Sequence, residues 1–130
     1  MLALLLPYCM MRKDLIWSLM LSMLHHGEAT ISLNKINLLE VNYNAYRSRG
    51  KEQADLMLLE LTWLPIVINS KISDEIFLEA GRLKASYKIS LADSIVLAEA
   101  LVTNAKLLTA DHHEFDVIEE NEEILFLWIR

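Results

Sequence analysis

The 130 residues are 54% hydrophobic with a mean hydropathy of +0.28, enough for one core and slightly more than one small domain hides, so one domain over residues 1–130 with an oligomer or partner face is expected. A net charge of −6 excludes a general basic coat for nucleic acid, and any such contact must come from a local patch. Three glycines and two prolines exclude long disordered linkers, and the single cysteine, Cys9, excludes an internal disulfide and suits a reducing cytoplasm.

Met1 to Met11 is apolar but is broken by Pro7, and its positive charges, Arg12 and Lys13, follow the run instead of preceding it. A signal peptide has the reverse order, and a membrane span needs about 20 apolar residues, so no membrane role is expected. The run reads as the start of a buried, Leu-rich helix. Leu15, Ile16, Leu19, Met20 and Met23 continue at helical spacing until Gly27. Ala29 to Leu33 is β-prone. Asn37 to Arg49 is helical and stops at Gly50, with Arg47 and Arg49 suited to the negative end of its dipole. A third helix, Glu52 to Leu64, ends at Pro65, and Pro65 to Asn69 reads as a strand.

Ser73 caps a helix to about Tyr87 whose first turn carries Asp74 and Glu75. Ser90 caps Leu91 to Thr103, which is apolar nearly all round and therefore buried. Ala105 to Thr109 reads as a buried strand, Glu114 to Glu120 as a short helix, and Ile124 to Ile129 as the last strand. Strands alternating with helices point to an α/β fold with a mainly parallel sheet and one domain.

In such sheets, sites form beyond the carboxyl ends of the strands. Asp111 lies just past one such end, Asp93 in the first turn of the preceding helix, and Glu40 early in the helix after the first β-prone run. Carboxylates converging from several elements suit a hard cation such as Mg²⁺ or Mn²⁺, which keeps waters it can activate. Each acid also has a plainer role. Ser90-x-x-Asp93 and Asp111-x-x-Glu114 have capping-box spacing, and Glu40 is an acid near a helix start. Spacing alone does not separate the two accounts.

The histidine pair His25-His26 suits a helix C-terminus, whereas His112-His113 stand in a loop beside Asp111, where solvation is the simpler role. Arg47, Arg49 and Lys51 are the densest basic cluster. They serve dipole compensation or contact nucleic-acid phosphates. Trp17, Trp63 and Trp128 are expected as core or interface anchors. The sequence has no Gly-rich phosphate loop, zinc spacing or serine elbow.

Three segments, Ile31-Ser-Leu-Asn-Lys-Ile-Asn-Leu-Leu-Glu40-Val, Ser90-Leu-Ala-Asp93-Ser-Ile-Val-Leu-Ala and Lys106-Leu-Leu-Thr109-Ala-Asp111-His-His-Glu-Phe115, resemble the PIN domain family, above all the toxin nucleases of VapBC-type toxin–antitoxin pairs. The resemblance covers about residues 10–130. It implies a three-layer α/β/α sandwich and a ribonuclease dependent on Mg²⁺ or Mn²⁺, with Glu40, Asp93 and Asp111 as acidic ligands and Thr109 as a supporting hydroxyl. It also implies RNA as substrate, an antitoxin protein as partner and a homodimer, with the long helices before Pro65 as the antitoxin groove or the dimer seam.

The departure from the family is at the start. Members open with an apolar strand ending in Asp, followed by a Leu-rich helix. Here Met1 to Pro7 reads as that helix, so the first central strand and its acid are expected to be missing. Asp14 precedes every other acid but follows no strand. Two accounts arise: the chain is a shortened form, or an element exchanged in a dimer completes the sheet. A weak or inactive nuclease is expected, and a non-catalytic protein-interaction module is the alternative.

Overall fold

The computed structural model describes residues 2–4, 31–64, 66–109 and 112–128, with residues 2–4 and 112–114 described by their backbone. Strands β1 (Leu2–Leu4), β2 (Ile31–Asn34), β3 (Ile66–Asn69), β4 (Lys106–Thr109) and β5 (Phe126–Trp128) form one parallel sheet in the order β3-β2-β1-β4-β5. The described helices are α1 (Lys35–Arg49), α2 (Lys51–Thr62), α3 (Asp74–Ser86), α4 (Leu91–Thr103) and α5 (His112–Asn121). All four residues of β2 are buried, as are Leu107, Leu108 and Thr109 of β4. Successive strand side chains point to opposite faces, so both faces of the sheet are covered.

The expectation of a missing central strand is overturned. Leu2–Leu4 lies at the centre of the sheet, Leu2 opposite Ile31 on one side and Lys106 on the other. Met, Leu and Ala favour helices, and a short apolar run has no period that separates helix from strand. Two flanking ladders decide the conformation here, and no exchanged element is needed to fill the sheet. The acid is another matter: Leu5, Leu6 and Pro7 follow the strand, and none is a carboxylate. The helix expected over residues 12–26, with Asp14, Trp17, His25 and His26, lies outside the described residues, as does Pro65.

Local chemistry sets the helix ends. Asn34, Ser73 and Ser90 each accept a backbone N–H of the helix that follows. Gly50, at φ 86°, turns the chain between α1 and α2 in a region where a Cβ is strained. Asn104, at φ 53°, ends α4 in the left-handed conformation. The helix α5 starts at His112, two residues before the expected Glu114, so His112 and His113 belong to its first turn and not to a loop.

The main core joins α3, α4, β4 and α5 through Leu83, Val96, Leu97, Leu107, Phe115 and Ile118. A smaller cluster, Val41, Ala45, Ala54 and Met57, holds α1 to α2. Among the described residues no helix is long and apolar enough to cross a membrane.

A polar clamp ties α3 to the end of α5. Arg82 donates to both oxygens of Glu122, at 2.9 and 2.8 Å, and to Glu79 at 2.9 Å, while the Tyr87 hydroxyl donates to Glu122 at 2.8 Å. The Arg82 guanidinium holds the Glu122 carboxyl below its ordinary value of 4.5. A depressed carboxyl adds stability that is complete above the unfolded value and is lost as pH falls through the folded one. Arg82 is half exposed, so solvent screening limits the effect. Glu122→Gln is expected to cost about 1 kcal/mol at neutral pH, with the gap to wild type closing below about pH 4. Urea unfolding at several pH values checks both size and sign.

Candidate functional site

The carboxyl ends of the strands define one rim of the sheet, and parallel sheets bind ligands there. Asn34, Asn69 and Thr109 end β2, β3 and β4 at this rim. The chain enters α1 directly from β2. The helix α4 leads through Asn104 and Ala105 into the start of β4, so it runs against the strands and brings its first turn, with Asp93, to the same rim. The two helices pack against each other; α1 carries Glu40 and α4 carries Asp93.

Asp93 is half-buried, and its N–H donates to the Ser90 hydroxyl at 3.0 Å, so the Ser90 half of a capping box is present. Glu40 is different. The helix starts at Lys35, two residues before the expected Asn37, which puts Glu40 in the second turn. The dipole acts mainly on the first turn, so it does not account for an acid there. The Glu40 side chain is partly buried with no hydrogen-bond or cationic partner among the described residues, and burial pushes its carboxyl above the ordinary carboxylate value.

Asn37 lies three residues before Glu40, on the same side of α1. It is 1% exposed, and among the described residues neither its amide nitrogen nor its oxygen has a partner. Buried polar groups are normally paired, so an orphan amide one turn before a desolvated carboxylate on the same helix is suited to a polar ligand or a cation with oxygen partners. Thr109 is fully buried at the end of β4. Asp111 lies outside the described residues, and no group of three or more His, Cys, Asp or Glu side chains is assembled among the described ones. Of the expected trio, Glu40 and Asp93 are described and Asp111 is not.

Two members of the basic cluster have partners. Arg47 lies 5.6 Å over the Tyr43 ring, and Lys51 pairs with Asp55, while Arg49 is exposed on the last turn of α1.

One polar group at this rim had no sequence expectation. Glu99, on α4, is 2% exposed, and its carboxylate accepts from Asn34 Nδ2 at 2.9 Å, Asn69 Nδ2 at 2.7 Å and Ser32 Oγ at 3.4 Å. A carboxylate in the middle of a helix that is otherwise apolar beyond its first turn was the available signal, because a buried charge needs partners.

The profile of the PIN domain family matches residues 19–121. The chain belongs to the PIN domain family. Its fold has counterparts among PIN-type toxin–antitoxin structures. The crystal structure of VapBC2 from Rickettsia felis, bound to a DNA fragment from its promoter, superposes with a TM-score of 0.74 at 20% identity, covering 100% of both chains. DNA-bound VapBC from Salmonella typhimurium gives 0.71 at 16% identity, covering 98% of each. VapBC-1 from nontypeable Haemophilus influenzae gives 0.71 at 19% identity, again covering 98% of each. No curated protein matches the chain. At these identities the likeness is one of fold, and it agrees with the PIN assignment and the parallel sheet. In this PIN domain α1 and α4, the helices that carry Glu40 and Asp93, begin at the rim where β2 and β4 end.

Proposed function

We propose that this PIN domain, one unit over residues 1–130, is the toxin component of a toxin–antitoxin pair and carries the site of a metal-dependent endoribonuclease. Glu40 carries the argument. A carboxylate desolvated with no cation among the described residues, one turn after an orphan amide on a helix that starts at the rim reached by Asp93, suits a hard divalent ion with oxygen ligands. Glu40, Asp93 and Asp111 would hold Mg²⁺ or Mn²⁺, with Thr109 supporting Asp111. The ion, when bound, supplies water activation and charge stabilisation at a phosphodiester. The chain's own residues orient that chemistry. The Ser90 cap fixes the first turn of α4 under Asp93, and the Asn34 cap fixes the start of α1 ahead of Glu40. Arg49 and its neighbours Arg47 and Lys51 would meet RNA phosphates.

The acid expected after the first strand is absent from Leu5 to Pro7, so cleavage is expected to be weak. A second reading, a non-catalytic interaction module, is favoured by two exposed stripes at helical spacing: Leu39, Tyr43 and Tyr46 on α1, and Leu56, Leu59 and Trp63 on and just after α2. Trp63 is 79% exposed, an interface anchor and not a core residue. These stripes suit an antitoxin's amphipathic segment or a second copy of the chain, in a cytoplasmic setting.

Calorimetric titration with Mn²⁺ and cleavage of single-stranded RNA test the assignment in wild type and Asp93→Asn. The variant is expected to bind Mn²⁺ at least about tenfold more weakly and to lose residual cleavage. Unchanged Mn²⁺ affinity in Asp93→Asn would remove Asp93 from the site. Strong wild-type cleavage abolished by the substitution would confirm the ligands and overturn the expectation of weak activity.

A further inference from the structure

The two amide donors around Glu99 are set by backbone, not by chance rotamers. Asn34 Oδ1 accepts the Ile36 N–H at 2.8 Å, and Asn69 Oδ1 accepts the Lys71 N–H at 3.2 Å. With both oxygens committed, each amide must point its NH₂ outward. Asn34 and Asn69 are direct partners in the β2–β3 ladder, and Ser32 is two residues before Asn34, so all three project from one face of the sheet. Only a group that accepts at two oxygens satisfies this arrangement. A carboxylate does, and a carboxamide does not, because its nitrogen would face a donor.

No cation pairs with Glu99 among the described residues. An apolar side chain would avoid the desolvation cost of this buried charge, so what the carboxylate adds is direction. Its two ends of influence are specific. Asn34 caps α1, and Glu40 lies six residues further on. Glu99 lies six residues after Asp93 on α4.

We propose that Glu99 is a positioning residue for the metal site: through the Asn34 cap it fixes the helix that carries Glu40 relative to the helix that carries Asp93. This inference rests on the metal-site reading. Groups bonded directly to metal ligands typically set affinity by ten- to a hundredfold, roughly; Glu99 acts further back, through the Asn34 cap, so the lower end of that range is expected.

The test is Mn²⁺ affinity by calorimetry on the full chain, with melting temperature recorded for each variant. Glu99→Ala is expected to bind Mn²⁺ about tenfold more weakly. Formate, small enough for the vacated space and able to accept from all three donors, is expected to restore most of that affinity relative to wild type in the same formate. Glu99→Gln is expected to stay weak. Asn34→Ser keeps a capping oxygen and removes the amide donor, so it is the variant that stays folded if Glu99→Ala does not, with about threefold weaker binding expected. Affinity within twofold of wild type in both Glu99→Ala and Asn34→Ser, with Asp93→Asn still impaired, would overturn the positioning role and leave the metal site standing. Formate that restores melting but not Mn²⁺ affinity would also overturn it. Wild type without Asp93-dependent binding would overturn the metal reading, and this role with it.

Discussion

Truncating Phe115 to alanine is expected to lower the unfolding free energy by about 3–5 kcal/mol. Phe115 is 0% exposed and is among the largest fully buried side chains. It anchors α5 in the core that also holds Leu97, Leu107 and Ile118. Its ring centroid lies 6.0 Å from that of Phe126 on β5, tilted by 35°, and Phe126 stacks on Trp128 at 5.1 Å. Removing the ring therefore opens a cavity and ends the aromatic series that joins α5 to the edge of the sheet. A domain this size is stable by only about 5–15 kcal/mol, so the loss is a large share of the total. In thermal unfolding it corresponds to a fall of about 10–20 °C. Val117, exposed two residues away on the same helix, supplies the contrast: Val117→Ala is expected to stay within about 0.5 kcal/mol of wild type. Similar losses in the two variants would mean that α5 is not docked through Phe115.

The contrast between Phe115 and β1 explains what was legible in the sequence. The helix α4 was readable because its signals are local: a Ser90 cap, apolar residues on every side and a stop at Asn104. Gly50 between α1 and α2 was readable for the same reason. Leu2–Leu4 was not, because what makes it a strand is pairing with residues about 30 and 100 positions away, and its composition favours a helix. The candidate site divides in the same way. Asp93 and Glu40 could be named from their places beside helix starts, although the true start of α1 at Lys35 is what removes the dipole account of Glu40. For Glu99 its own helix shows only that a buried carboxylate needs partners, not which ones. Its partners Asn34 and Asn69 stand 65 and 30 residues away and become neighbours only when β2 and β3 pair in register.

Asn34→Ala is expected to cost about 2–4 kcal/mol, more than any ordinary cap, because Asn34 does two things at once. Its oxygen caps α1, and loss of a cap alone costs about 1 kcal/mol. Its nitrogen satisfies one oxygen of the buried Glu99 carboxylate, and leaving a buried acceptor without its donor costs about 1–3 kcal/mol, more when the group is charged. The two contributions separate by substitution. Asn34→Ser retains a capping oxygen, so its cost measures mainly the lost donor. Asn69→Ala removes the other amide donor without touching any helix cap, and at its half-buried position the loss is expected to be smaller, about 1–2 kcal/mol. Urea unfolding of the three variants and of the Asn34→Ala, Glu99→Ala pair completes the comparison. If Glu99 is held by these amides, the double variant is less destabilised than the sum of its singles, since removing the carboxylate removes the penalty for its missing donor. Additive losses would mean that the carboxylate and the Asn34 amide are independent, and the capping term would then account for the whole effect at Asn34.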